Sequence, residues 1–185
     1  MSLGRQLDLE RVPPVLRPEL LAAIARFEQA SDATIALDRG LARQLPKVWA
    51  CSRFVADACA RDPSLLGWLA GPGQVMRELD AATLAAELTS VLANATEDAA
   101  WLDALRIFRR LHLARIAWRD LAGITDIGTV LRETSTLADV CVRAAYARAE
   151  GELAARHGAP IDAQGERLGI ELARDLPGTR EPAEQ

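Results

Sequence analysis

The sequence predicts an all-α fold, a bundle of about six to seven helices with two long central ones. Three observations lead there. Half of the 185 residues are hydrophobic but only 4% are aromatic, and alanine, leucine and arginine dominate, which is the usage of closely packed helices rather than of sheets. Proline and glycine divide the chain into segments of helical length, and inside those segments apolar residues recur at three- and four-residue spacing. A chain of this length holds one domain with a substantial core. The expected organisation is an irregular N-terminal arm over 1–16, a helical domain over 17–157, and a turn-rich connection with a disordered tail over 158–185.

Each element has a local reason. "RVPPVLRPEL" closes the arm, and Pro18 suits the first turn of a helix running to about Ala30. A second helix is expected from Asp32 to Gln44, where Pro46 breaks the pattern. "KVWACSRFVADACA" then sets Val48, Cys51, Val55, Ala58 and Cys59 along one helical face. Asp62 followed by Pro63 reads as a cap with proline at the first helical position, opening "SLLGWLA". "GPGQ" at Gly71 to Gln74 is the clearest loop; Met76 stands where a dinucleotide fingerprint needs its third glycine, and no strand precedes it. "DAATLAAELTSVLANA" gives Leu84, Leu88, Val91 and Leu92 one amphipathic face.

The two long helices follow. Thr96 is the expected cap of the first, with Glu97 and Asp98 in a turn where negative charge suits the helix dipole. The pattern continues to Leu121 and Gly123 can close it. Ile107, Leu111, Ala114, Trp118 and Leu121 form one stripe, Trp101, Leu105 and Phe108 another, so neighbours are expected on both flanks. The next helix starts at Thr125 or Asp126 and carries Ile127, Val130, Leu131, Leu137, Ala138, Cys141 and Ala145 on one face, with Asp139–Arg143 and Arg148–Glu152 as four-residue pairs outside. It is expected to end near His157; after it, Gly158, Pro160 and Gly165 announce turns.

Several function classes recede on composition. A net charge of −4 gives no general attraction to phosphate backbones, so nucleic acid is not an expected partner. No window approaches the roughly 18 uninterrupted apolar residues of a membrane span, and the N-terminus lacks a basic segment followed by an apolar one, so a cytoplasmic protein without membrane association is expected. Cys51, Cys59 and Cys141 match neither zinc nor redox spacing and read as reduced packing thiols. His112 and His157 lie far apart, neither in a His-Glu-x-x-His pattern, and no metal site is expected. No serine or cysteine pairs with a histidine in a recognisable motif.

The residues from Phe108 onward, "RRLHLARIAWRDLAG" and then "TVLRETSTLADVC", resemble the glutamine synthetase adenylyltransferase/adenylyl-removing family, the glutamate–ammonia-ligase adenylyltransferases. There an "RIAWRDL" type of motif leads through a short turn into a helix with a "TLRELSxLADxC" pattern. "ELAARHGAPIDAQG" matches the family's "ELxxRxGxPxxxxG" connection, and "LPKVWACSRFVADACARDPSLLGWL" resembles an early helix of the family. The likeness covers roughly Leu45 to Arg167 and is specific over Arg115 to Leu121 and Leu137 to Cys141.

The resemblance implies control of nitrogen assimilation. Such enzymes attach AMP from ATP to a tyrosine of glutamine synthetase and remove it phosphorolytically, with PII protein and glutamine as signals. Their nucleotidyltransferase domains open with a "GMGKLGG" turn followed by a "SDxDL" strand whose carboxylates hold divalent metal, since metal ions held by aspartates align and neutralise the transferring phosphoryl group. After "GERLG" this sequence reads "IELARDLPGTREPAEQ", where Asp175 has no carboxylate two residues away. The expectation is therefore an N-terminal helical portion that stops before the first catalytic site. It carries no catalytic residue and no cofactor of its own, Mg2+ and ATP belonging to the complete enzyme. Glutamine synthetase, PII and a missing nucleotidyltransferase domain are the implied partners. A self-standing helical interaction module is the alternative.

The arginines of the first long helix form no single basic stripe. At about 100° per residue, Arg106 and Arg110 share one side, Arg115 and Arg119 fall near the opposite side, and Arg109 lies between. One reading pairs them with acidic neighbours and packs their stems over apolar surface. The other makes Arg109, Arg115 and Arg119 contacts for nucleotide phosphate or an acidic partner, because guanidinium suits both. Asp120 joins that set, since a carboxylate near a helix C-terminus opposes the dipole and calls for a fixed partner.

Overall fold

A computed structural model describes residues 2–31, 35–159 and 161. Among these residues the chain forms seven α-helices and no strand: α1 (Arg17–Ala30), α2 (Arg39–Cys51), α3 (Arg53–Arg61), α4 (Pro63–Leu69), α5 (Ala81–Ala93), α6 (Asp98–Leu121) and α7 (Ile127–His157). Two compact units divide it, Met1–Leu137 and Ala138–Gln185, and α7 runs through the division. No helix of the described residues is long and apolar enough to cross a membrane. Apart from Gly158, Ala159 and Ile161, the expected turn-rich connection and disordered tail lie outside the described residues.

Short polar side chains start most of the helices. Carboxylate oxygens of Asp38, Asp80 and Asp126 accept from the backbone N–H groups of Leu41, Thr83 and Thr129 at 2.7, 2.7 and 3.0 Å. Asp62 caps α4 with Pro63 at its first position, as expected. Each such cap satisfies a donor that the helix itself cannot. α6 starts after Glu97, which makes no side-chain cap, so the cap expected at Thr96 is not used. Gly123, at φ 72°, closes α6: its N–H donates to the Asp120 carbonyl and that of Ile124 to the Arg119 carbonyl, both at 2.9 Å. A left-handed residue is needed there, and glycine takes that conformation without a Cβ clash.

The region from 32 to 61 differs from the sequence expectation. The helix expected from Asp32 to Gln44 begins instead at Arg39, where Asp38 caps it, and runs through Pro46 to Cys51. Pro46 removes one internal hydrogen bond, but its ring is buried, and packing offsets that loss. Ser52 then separates α2 from α3: its N–H donates to the Val48 carbonyl at 2.8 Å and its Oγ accepts from Val55 N–H at 3.3 Å. The single face drawn through Val48, Cys51, Val55, Ala58 and Cys59 is therefore split, and Cys51 is exposed whereas the other four are buried. Of the three cysteines expected as packing thiols, only Cys59 and Cys141 are buried. Burial, with help from Asp62, pushes the Cys59 thiol up to about 12.

In the first unit, α1, α2 and α3 pack on one another, α3 also meets α4 and α6, and α5 lies on α6. Leu20, Leu45, Val48, Val55, Leu66 and Leu69 are fully buried in this core, which reaches α6 through Ala114 and Trp118. The arm expected to be irregular forms three 3-10 turns, Leu3–Gln6, Leu9–Arg11 and Pro14–Leu16, and buries Leu3 and Val12. It is pinned to α1 by Glu28, whose carboxylate accepts from Ser2 Oγ at 2.7 Å and Gly4 N–H at 3.0 Å.

The apolar face expected on α7 is also revised. Ile127 and Leu131 are exposed, while Thr129, Glu133 and Leu137 are buried one turn apart from each other. A buried polar cluster occupies the inward positions of the early turns, where apolar periodicity misplaces the face, while Leu137 and Cys141 of the expected face are buried. Beyond Leu137 the helix continues as the described part of the second unit, where Arg148 Nε donates to Glu152 at 2.7 Å.

Candidate functional site

The second half of α6 differs from an ordinary amphipathic helix because it buries His112, Arg115 and Arg119. Arg115 and Arg119 are four residues apart and so lie on one side of the helix. Both face Glu133 of α7, whose side chain is only 6% exposed. Arg115 donates to Glu133 Oε2 at 3.1 Å and, through its other terminal nitrogen, to Oε1 at 3.4 Å, a two-pronged contact that the planar guanidinium favours. Arg119 Nε stands 3.6 Å from the same carboxylate.

Terminal guanidinium nitrogens of both arginines also donate to the loop between α4 and α5, while Nε of each is buried without a hydrogen-bond partner among the described residues. Arg115 donates to the Arg77 carbonyl. Arg119 donates to the Val75 and Arg77 carbonyls at 2.9 and 3.1 Å. "GPGQ" explains why those carbonyls point inward. Gly73, at φ 74°, turns the chain, and N–H groups of Met76 and Arg77 bond back to its carbonyl. Two buried cations thus share one buried carboxylate and three carbonyl bonds. Removing a carboxylate from such a cluster would leave desolvated charge without compensation.

Trp118 and His112 complete this half of α6. Trp118 is fully buried and its Nε1 donates to Gln44 Oε1 at 2.9 Å, joining α6 to α2. His112 packs on Phe108 at 4.3 Å and meets Trp68 edge-on at 5.5 Å between ring centres. Burial lowers its pKa to about 4, with Arg115 and Arg77 adding to the effect, so the ring is neutral at pH 7.

Of the four residues singled out in the sequence, the structure brings together Arg115 and Arg119 and commits both to internal partners. Arg109 and Asp120 are exposed, and among the described residues neither side chain has a hydrogen-bonding or ionic partner. Asp120 therefore lacks the fixed partner that its place near the helix end calls for. Glu133, Gln44 and the Val75 and Arg77 carbonyls were not evident from sequence. Glu133 had one signal, since it lies four residues before Leu137 and hence on the same side of α7. Among the described residues no group of three or more His, Cys, Asp or Glu could hold a metal ion.

These features define an all-helical protein in which Arg115 and Arg119 bond to other elements of the same chain. A family model described as glutamate-ammonia ligase adenylyltransferase matches residues 42–172, and the chain belongs to that family. Among curated relatives, the bifunctional glutamine synthetase adenylyltransferase/adenylyl-removing enzyme of Thioalkalivibrio sulfidiphilus is 38% identical over 165 residues, 89% of this chain and 17% of the relative. The enzyme of the same description from Nitrosococcus oceani is 35% identical over 77% of this chain and 15% of the relative. That from Stenotrophomonas maltophilia is 32% identical over 83% and 15%. The match thus spans between a seventh and a fifth of these relatives' length.

Proposed function

We propose that these helices are the scaffolding portion of a glutamine synthetase adenylyltransferase/adenylyl-removing enzyme and have no catalysis of their own. Adenylyl transfer and removal would be carried by a nucleotidyltransferase domain, with Mg2+ and ATP bound there, and glutamine synthetase and PII would be partners of the assembled enzyme. The observation that carries this reading is the use of the family-like "ARIAWRDL" segment: Arg115, Trp118 and Arg119 are buried against Glu133, Gln44 and the 75–77 carbonyls. Guanidinium groups so committed hold elements in place and leave Arg109 as the exposed arginine of the proposed phosphate- or partner-contacting set.

The described residues do not fit magnesium-bound nucleotide. The chemistry needs paired carboxylates for the metal. Glu133 is the buried carboxylate on α7, and both its oxygens face arginine. No phosphoryl-transfer step is therefore assigned to these helices. Exposed apolar side chains support a scaffold that another polypeptide covers: Ile127 and Leu131 in the first unit, and Val142 and Leu153 in the second, are each more than half exposed.

The test is an assay of AMP release from adenylylated glutamine synthetase with phosphate, and of ATP-dependent adenylylation in parallel, using the purified chain with magnesium. Absence of turnover in both directions is expected. Turnover above a no-protein control in either direction would overturn the scaffold reading.

A further inference from the structure

A groove of about 490 Å³ opens between α4, α5 and α6 beside His112. That is within the range of small-molecule sites, roughly 300–1,000 Å³. Its walls are Trp68, Val91, Ile107, Phe108 and Leu111. Val91 and Ile107 are 42% and 43% exposed, which is unusual for large aliphatic groups facing one cleft.

The polar lining is Gln74, Glu87, Ser90 and His112, and several of its acceptors lack a good donor. Glu87 Oε1 accepts from Arg77 at 2.7 Å, but the nitrogen paired with Oε2, His112 Nε2, is 3.5 Å away and belongs to a neutral ring. That distance is too long for a good hydrogen bond. The His112 side chain is 3% exposed, and its Nδ1 has no hydrogen-bond partner among the described residues. Gln74 Oε1, from the loop that lines the same groove, is buried without a partner as well. Unmet polar groups are rare in protein interiors, and here two of them belong to residues of a single cleft.

We propose that this groove binds a small amphipathic molecule, an aromatic or aliphatic body carrying one uncharged N–H donor. The apolar walls take the body. The donor goes to the Glu87 carboxylate oxygen that Arg77 leaves unused, or to Gln74 Oε1 after a small rotation of that amide. Charged ligands fit less well: Glu87 opposes an anion, and Arg77 already neutralises it against a second cation. Sugars and phosphates would leave their polar groups unmatched against the aliphatic wall. The inference is independent of the adenylyltransferase reading and stands or falls on binding alone.

The test titrates the 185-residue chain with indole and follows amide and indole N–H resonances by NMR, with 1-methylindole as the probe that lacks the donor. Saturable shifts centred on Trp68, Phe108 and His112 are expected. 1-Methylindole should bind about three- to tenfold more weakly, although its added methyl favours burial. Val91→Trp, which fills the groove from an exposed position, should weaken indole binding about tenfold or more with the helical signal unchanged; Ile107→Trp tests the same point from the opposite wall. No saturation, or full affinity in both filled variants, would overturn the site. Equal affinity for the two probes would overturn the donor requirement.

Discussion

The two halves of α6 use the same residue type in opposite ways. In the first half, Arg106 pairs with Asp103 at 3.0 Å in a contact about two-thirds exposed on each side, and Arg109 is exposed with no partner among the described residues. In the second half, Arg115 and Arg119 are 1% exposed and locked to Glu133 and to two carbonyls of the preceding loop. The difference teaches that an arginine-rich helix need not be a binding helix. A solvated guanidinium contributes little to the fold, whereas a buried one binds distant segments together because its charge must be compensated by a countercharge and by acceptors from those segments.

The largest effect should come from breaking the buried half. Glu133→Gln removes the buried countercharge that both arginines share, leaving Arg119 only the exposed Glu78 at 3.7 Å, and is expected to cost about 3–5 kcal/mol of unfolding free energy, measured by urea titration. A loss below about 1 kcal/mol would place the cluster with the exposed pairs.

Acid should sharpen the contrast next. An unfolded chain protonates His112 near the ordinary value of 6.5, whereas the folded chain holds it to about 4. Between those values the unfolded state binds a proton that the folded state lacks, so stability falls as pH drops from about 6.5 to about 4 and this contribution levels off below. The change should reach up to about 3 kcal/mol, and His112→Phe should flatten it. Asp80 and Asp126, held low by caps, start from 3.8, below this window, while Glu28, held low from 4.5 by its bonds to Gly4 and Ser2, adds to the fall only at the acid end, so the slope above about pH 5 belongs to the histidine.

A smaller loss is expected from Trp118→Phe, which deletes the donor to Gln44 and part of a fully buried ring; about 1–3 kcal/mol should disappear in the same titration. The smallest effect belongs to the exposed half. Arg109→Ala should stay within about 0.5 kcal/mol of the parent, and a larger change would mean that the two halves of α6 are less different than their burial indicates.

Much of this architecture was legible before any coordinates. Asp62-Pro63, the "GPGQ" turn, Gly123 and the end of α7 were readable because capping and left-handed turns depend on one or two residues. The segment around Pro46 was not, because burial of the proline ring in the core outweighs its local cost. Nor was the inward face of α7, where Thr129 and Glu133 take positions that a periodicity argument reserves for apolar residues. For the candidate site, the sequence could separate Arg115 and Arg119 from Arg106 and Arg110 by angle. It could not show which side was buried, since that depends on Glu133 and on carbonyls about 40 residues away in the chain.

The central claim, that the family-like arginines are internal fasteners, is tested most directly by a double-mutant cycle on Arg115 and Glu133. Unfolding free energies would be measured for the parent, Arg115→Met, Glu133→Leu and the double variant, with Arg119 retained throughout. A coupling energy above about 1.5 kcal/mol, with the double variant less damaged than the sum of the singles, is the expected result. Additive losses, with coupling under about 0.5 kcal/mol, would contradict the account and return Arg115 to the residues available for a ligand or partner.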